Sequence, residues 1–259
     1  MSTPKALILL ATGTNRNRDV AQALRLAGAE PETVPLQGLR QMNRSWNDYQ
    51  LLVIGGGFSY ADALGAGKLL ALDLLHYFSD QAAAFVAAGK PVIGICNGFQ
   101  ALVKAGILPG ANEEATLTFN DCGHFECRWV TLQPVSQTCL WTRGLKELVE
   151  CPVAHGEGNF ITHKPGALQR LAAADQIALV YVRPDGSKAN GLYPFTPNGS
   201  KMDIAGICNP EGNVLGLMPH PENNVLPFQY PHWMRGVQHS GLPLFENAVR
   251  YVNQKENPA

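Results

Sequence analysis

Cys96 has the setting that most clearly permits covalent chemistry. It lies in Gly94-Ile95-Cys96-Asn97-Gly98, the glycine–nucleophile–glycine spacing of a nucleophile elbow, with cysteine in place of serine. A sharp strand-to-helix turn strains its central residue, and the neighbours two positions away must be small for the backbone to fold so tightly. The helix that follows directs free N–H groups at the sulfur and favours negative charge there, and thiolate is the nucleophile. The Asn97 N–H is placed to stabilise an oxyanion on an attacked carbonyl. The same five residues also fit a small core thiol between two packing glycines. The flanks favour the elbow: PVIGI before it reads as a buried strand, and GFQALVKAG after it as a helix closed by Gly106.

A cysteine nucleophile needs a base and a group to orient that base. In GLMPHPENN, Pro219 and Pro221 flank His220 and hold the segment extended. Residues i and i+2 of an extended segment share a side, so His220 and Glu222 project together. The carboxylate can then fix the imidazole tautomer and raise its basicity. AHGEGNF offers His155 and Glu157 at the same spacing. Spacing leaves both pairs open, although the prolines and the apolar run NVLGLM favour His220 through rigidity. A third feature is LLVIGGGFSYADALGAG, a glycine run at the carboxyl end of a buried strand, where open α/β sheets place ligand loops. It can offer N–H groups to an oxyanion but matches neither phosphate-binding glycine fingerprint.

The elements that must position these residues are legible as alternation. ALILLATG is a first strand, NRDVAQALRLAG a helix stopped by Gly28, PETVPL an edge strand, and YQLLVIGGG a second buried strand. LLALDLLHYFSDQAAAFVAAG is helical with a break near Ser79 and Asp80. Apolar strands joined by helices argue for a parallel sheet covered on both faces. From about Thr116 the pattern turns to alternating β-branched and aromatic residues with turn signals at Pro184-Asp185-Gly186, Pro197-Asn198-Gly199 and Pro210-Glu211-Gly212. LPLFENAVRYVNQ reads as a closing amphipathic helix. The expectation is α/β: a flavodoxin-like, doubly wound, mostly parallel sheet with a β-rich second half, as a single domain over residues 1–259.

Composition narrows the function. A chain of 259 residues with 46% hydrophobic residues can bury a large core, and a net charge of -1 gives no electrostatic case for nucleic acid. No apolar run approaches the roughly 18 residues of a membrane span, and the N-terminus lacks a signal-peptide pattern, so a cytoplasmic location is expected. The six cysteines are scattered without a Cys-x-x-Cys pair. Neither a disulfide framework nor a metal site is expected from that spacing.

These segments together resemble class I glutamine amidotransferases, and within them the glutaminase subunits of phosphoribosylformylglycinamidine synthase. The resemblance rests on GGGFSYADALGAG, GKPVIGICNGFQALVKAGILPG, FNDCGHFECRWV, VAHGEGNF, PNGS and IAGICNPEGNVLGLMPHPE, in order from about Val53 to Glu222. It implies Cys96 as nucleophile, His220 as base and Glu222 as its orienter. It implies that the Gly56 and Gly57 backbone joins Asn97 in an oxyanion hole, and that Gln100, Asn120 and Phe125 hold substrate glutamine. His155 and Glu157 would then belong to a second motif near the mouth of the site or the partner surface. The resemblance further implies an ATP-dependent synthetase partner, with ATP and Mg bound there and no cofactor in this chain, and possibly a small third subunit. Ammonia released from glutamine would convert formylglycinamide ribonucleotide to its amidine in purine biosynthesis. The alternatives are an amidotransferase for another acceptor, a stand-alone amidohydrolase, or a non-catalytic assembly subunit. The chain departs from the family pattern at Gly55, at Arg16 and Asn17, at Ala61 where glycine is usual, and at Asn223 where arginine is usual.

Overall fold

The computed structural model describes residues 3–41, 44–110, 114–232, 234 and 239–256. Its first half alternates as expected: β1 (Lys5–Leu10), α1 (Asn17–Leu26), β2 (Glu30–Pro35), α2 (Leu36–Arg40), β3 (Leu51–Ile54), α3 (Lys68–Tyr77), α4 (Ser79–Ala87), β4 (Val92–Ile95) and α5 (Asn97–Lys104). The second half holds β5 (Ala115–Thr118), β6 (Glu126–Pro134), β7 (Val149–His155), β8 (Asn159–Thr162), α6 (Ala167–Ala173), β9 (Ile177–Val182), β10 (Ile204–Cys208), β11 (Val214–Leu217) and α7 (Leu242–Glu256). The break between α3 and α4 falls at Phe78, beside the Ser79-Asp80 pair that signalled it.

Among the described residues nine strands form one sheet in the order β2-β1-β3-β4-β11-β10-β9-β6-β7. The pairings from β2 to β11 are parallel, and those from β11 to β7 are antiparallel. The chain therefore builds a parallel half first and completes the sheet with hairpin-type connections. The antiparallel β10–β11 pair is turned by Pro210-Glu211-Gly212, the signal read from sequence. β2 lies at the sheet edge, where its two prolines cost no central ladder bonds.

Strands β3 and β4 are buried throughout, which is why LLVI and VIGI carry no polar residue. Helix α1 packs on β1, β2 and α7, while α3 packs on α4 and α5, and α5 lies against β3, β4 and β11. A two-stranded ribbon, β5–β8, sits beside α5. The parallel half thus ends β3 and β4 side by side, with their glycine-containing exits adjacent. That adjacency positions the site.

One departure from the family pattern has a physical consequence in this region. Residues 60–62 run consecutively left-handed, with φ of 54° at Tyr60, 55° at Ala61 and 50° at Asp62. A Cβ in that region costs roughly 1–2 kcal/mol, part of which glycine returns to unfolded-state entropy. Ala61 is exposed, so removing its methyl loses no packing. Ala61→Gly is expected to stabilise the chain by about 1 kcal/mol, read as a higher midpoint in urea with an unchanged slope.

Candidate active site

The elbow is strained as its spacing requires. Cys96 has φ 52° and ψ -105° at the point where β4 ends and α5 begins. Its N–H donates to the Leu217 carbonyl at 2.8 Å, pinning the turn to the end of β11. A Cβ on Gly94 would lie 2.8 Å from the Gly98 backbone, and one on Gly98 would lie 1.9 Å from the Ile54 carbonyl oxygen. Both glycines are therefore needed so that α5 can leave the strand against β3 without collision. Asn97 is the first helical residue, so its N–H has no intrahelical partner.

His220 follows β11, and its Nδ1 lies 2.8 Å from Glu222 Oε1. The two are buried, at 3% and 0% exposure, and the Cys96 side chain stands close enough to the His220 ring to favour its charged form. With Nδ1 occupied by Glu222, Nε2 is the nitrogen left to face the sulfur. The pair forms across a single 3₁₀ turn at Pro221–Asn223, not along an extended run. Pro221 opens that turn, where its missing N–H costs nothing. The spacing therefore led to the right contact through a different backbone shape. Burial opposes charge on His220, but the negative charges of Glu222 and Cys96 outweigh it and push its pKa up to about 10. The second Glu222 oxygen, Oε2, is buried without a protein partner.

The competing pair comes apart. His155 Nδ1 lies 3.0 Å from Asn120 Oδ1, while the Glu157 carboxylate accepts from the Ala66 N–H at 3.3 Å and lies 3.7 Å from Lys104 Nζ. Burial, with the His220 charge second, lowers the His155 pKa to about 4, so it stays neutral at pH 7. An unfolded chain takes up that proton near pH 6.5 and the folded chain only near pH 4. This contribution to stability is complete above pH 6.5 and declines as pH falls towards 4, by up to about 3 kcal/mol. Urea midpoints measured from neutral pH down to about pH 4 should fall, and His155→Gln should flatten that slope.

Gly56 and Gly57 pass directly beside the histidine. A Cβ on Gly56 would lie 2.6 Å from His220 Cε1, and one on Gly57 would lie 2.7 Å from the Gly13 carbonyl oxygen. The N-terminal GTNRNRD segment supports this loop: Asn15 N–H donates to Gly56 O at 3.3 Å, and Phe58 N–H to Gly13 O at 3.0 Å. Arg16, one of the departures, lies over the same glycine, with its Cγ 3.5 Å from a Cβ placed on Gly56.

A polar network locks the loop to the elbow. Ser59 Oγ and N–H both donate to Asn97 Oδ1, at 2.5 and 3.1 Å. Asn97 Nδ2 donates to Asp62 Oδ1 at 2.9 Å and to Gln100 Oε1 at 3.1 Å, and Gln100 Nε2 donates to the Glu157 carbonyl at 2.6 Å. Ser59 and Asp62 were missed as site residues; their only signal was membership of the glycine-rich segment.

A cavity of about 150 Å³ opens beside Cys96, walled by Gly57, Phe58, Gln100, Phe119, Phe125 and the 154–157 strand end. Phe125 is half-exposed and stacks on Phe58 with centroids 6.4 Å apart. Asn120 does not line this cavity. Its Nδ2 donates to the carbonyls of His124 and His155, and its Oδ1 accepts from the Gly158 N–H, so it braces the wall. Asn198, read only as a turn residue, is fully buried and donates to the Gly158 carbonyl at 2.8 Å. A larger hollow of about 660 Å³ between α3, α4, the segment after α5 and the β10–β11 turn is mostly apolar, with Ser79, Asn209 and Glu211 as its polar walls, and lies apart from Cys96.

A strained cysteine, a buried His–Glu pair against it and free backbone N–H groups make an arrangement suited to acyl transfer through a thioester. The CobB/CobQ-like glutamine amidotransferase domain matches residues 3–252, and the chain belongs to that family. Its relatives there are more particular. It is 59% identical over 240 residues to phosphoribosylformylglycinamidine synthase subunit PurQ of Treponema denticola, covering 86% of this chain and 89% of the relative. It is 41% identical over 262 residues to the same subunit of Dehalococcoides mccartyi, covering 98% and 100%. Among solved structures it is similar to a chain of PurLQS from Thermotoga maritima, with TM-score 0.75, 30% identity and coverage of 96% and 99%.

Proposed function

We propose that this chain is the glutaminase subunit of a phosphoribosylformylglycinamidine synthase, acting as one unit. The observation that carries the reading is Cys96 held at φ 52° with the buried His220–Glu222 pair against it. The similarity to PurQ subunits supports glutamine as the substrate and a synthetase as the partner in this reading.

In this reading the Cys96 thiolate attacks the side-chain amide carbon of glutamine. The Asn97 N–H and the Gly56–Gly57 backbone stabilise the tetrahedral oxyanion. His220, charged by its position between Glu222 and the sulfur, gives its proton to the departing nitrogen, and ammonia leaves. Water, deprotonated by His220, then cleaves the γ-glutamyl thioester and releases glutamate. Gln100 and Phe125 line the substrate cavity, while Asn120 acts by holding its wall. A synthetase with ATP and Mg receives the ammonia, in a cytoplasmic complex that includes a small third subunit. The exposed Phe58, Phe119 and Phe125 around the mouth suit a face covered in that complex.

Glutamine hydrolysis, measured with and without the synthetase, tests this directly. Glu222 is one of the charges that hold His220 protonated up to about pH 10. Activity that needs this proton should persist through neutral pH and fall as pH rises through that value. In Glu222→Gln the alkaline limb of kcat/KM should move to lower pH by at least about one unit. An alkaline limb at the wild-type position would remove His220 as the proton donor.

A further inference from the structure

The connection between β5 and β6, together with the first residue of β6, carries a second cluster of chemically competent groups, outside the Cys96 site. Cys122, His124 and Glu126 place one ligand atom each within 4.8 Å of one another. His124 Nε2 lies 2.8 Å and Cys122 Sγ 3.5 Å from the same oxygen, Glu126 Oε1. A tetrahedral ion with sulfur at about 2.3 Å and nitrogen and oxygen at about 2.0 Å holds its ligand atoms about 3 to 4 Å apart. The His124–Glu126 and Cys122–Glu126 separations already lie close to that spacing.

Three further features suit a metal. His124 Nδ1 lies 3.0 Å from the Cys122 carbonyl, which fixes that nitrogen as the protonated one and leaves Nε2 as a ligand. Arg128 Nε holds the other Glu126 oxygen, Oε2, so the carboxylate is oriented without blocking Oε1. The Tyr193 hydroxyl donates to Glu126 Oε1 at 3.1 Å and so helps to hold the carboxylate in place. Glu126 is buried while His124 is exposed and Cys122 half-exposed, so an ion has an entry path from solvent. The alternating Cys-x-His-x-Glu spacing differs from the paired ligand patterns by which sequence reading excluded a metal.

We propose that Cys122, His124 and Glu126 form a binding site for one divalent transition-metal ion of the zinc class. Thiolate, imidazole and carboxylate together select that class over magnesium or calcium. On binding, the Cys122 thiol releases its proton to solvent and forms the metal–sulfur bond, and the ion replaces the direct His124–Glu126 contact. The same connection carries Phe119 and Phe125, two walls of the Cys96 cavity, so the ion would fasten that wall.

The test uses the full chain carrying Cys96→Ala, which removes the competing active-site thiol. Zinc or cobalt is added, excess is dialysed away, and metal content and the cobalt absorption spectrum are measured. The expected result is one equivalent per chain with a thiolate-to-cobalt charge-transfer band in the near ultraviolet. Cys122→Ser should abolish the band, and His124→Ala should weaken affinity by roughly tenfold or more. Neither side chain is buried, so both variants should fold, and circular dichroism checks this. Absence of a bound equivalent, or a band and affinity unchanged in both variants, overturns the site.

Discussion

Cys96→Ala is expected to lower glutamine hydrolysis by about 10⁴-fold or more, with the fold and complex assembly intact. The thiol is 5% exposed and, apart from its approach to His220, makes only a weak contact, at 3.6 Å to the Ala154 carbonyl. Alanine can occupy the same strained backbone, so little stability should be lost. The chemistry is another matter, because the oxyanion donors and His220 have no covalent partner to serve once the sulfur is gone. The whole complex should then fail to make amidine from glutamine and still make it from added ammonium salt, since only the ammonia supply is removed. Full glutaminase activity in the variant would refute the nucleophile assignment. Loss of both reactions would instead point to a failure of assembly.

Gly98→Ala is expected to cost about 3 kcal/mol or more, the upper range for overpacking. The added methyl would sit 1.9 Å from the Ile54 carbonyl oxygen and 2.7 Å from its carbon. These are backbone atoms of a buried central strand and cannot rotate aside. Helix α5 must lift from β3, which also moves Cys96 away from His220, so stability and activity should fall together. Gly106→Ala is the comparison. Gly106 has φ 73° but nothing within 4 Å of its Cβ position, so only the conformational cost of about 1 kcal/mol applies. Chemical denaturation of the two variants separates lack of space from backbone strain.

The parallel half was readable because its central strands β3 and β4 are apolar throughout and its helices are closed by Gly28 and Gly106 near their ends. The elbow was readable for a related reason: its glycines, cysteine and flanking elements are contiguous. The base was harder. His155-x-Glu157 and His220-x-Glu222 are equivalent in spacing, and the difference between them is made by residues remote in sequence. Asn120 captures His155, and Lys104 and the Ala66 N–H engage Glu157. Only the three-dimensional fold brings those groups together. The same holds for Asn198, where a turn-type residue becomes a buried brace between β8 and β9 through Gly158 and the Tyr181 hydroxyl. The strain at Ala61 was visible only as a departure from a glycine, and became physical once its φ was known.

The central claim is that glutamine is opened by the Cys96 sulfur. A glutamine analogue carrying an electrophilic chloroketone at the side-chain terminus tests it most directly. The complex is treated with the analogue, digested and mapped by mass spectrometry. Alkylation at Cys96 alone, one group per chain, prevented by excess glutamine and lost in His220→Ala, is the predicted result. Inactivation with Cys96 unmodified and another residue labelled would contradict the account.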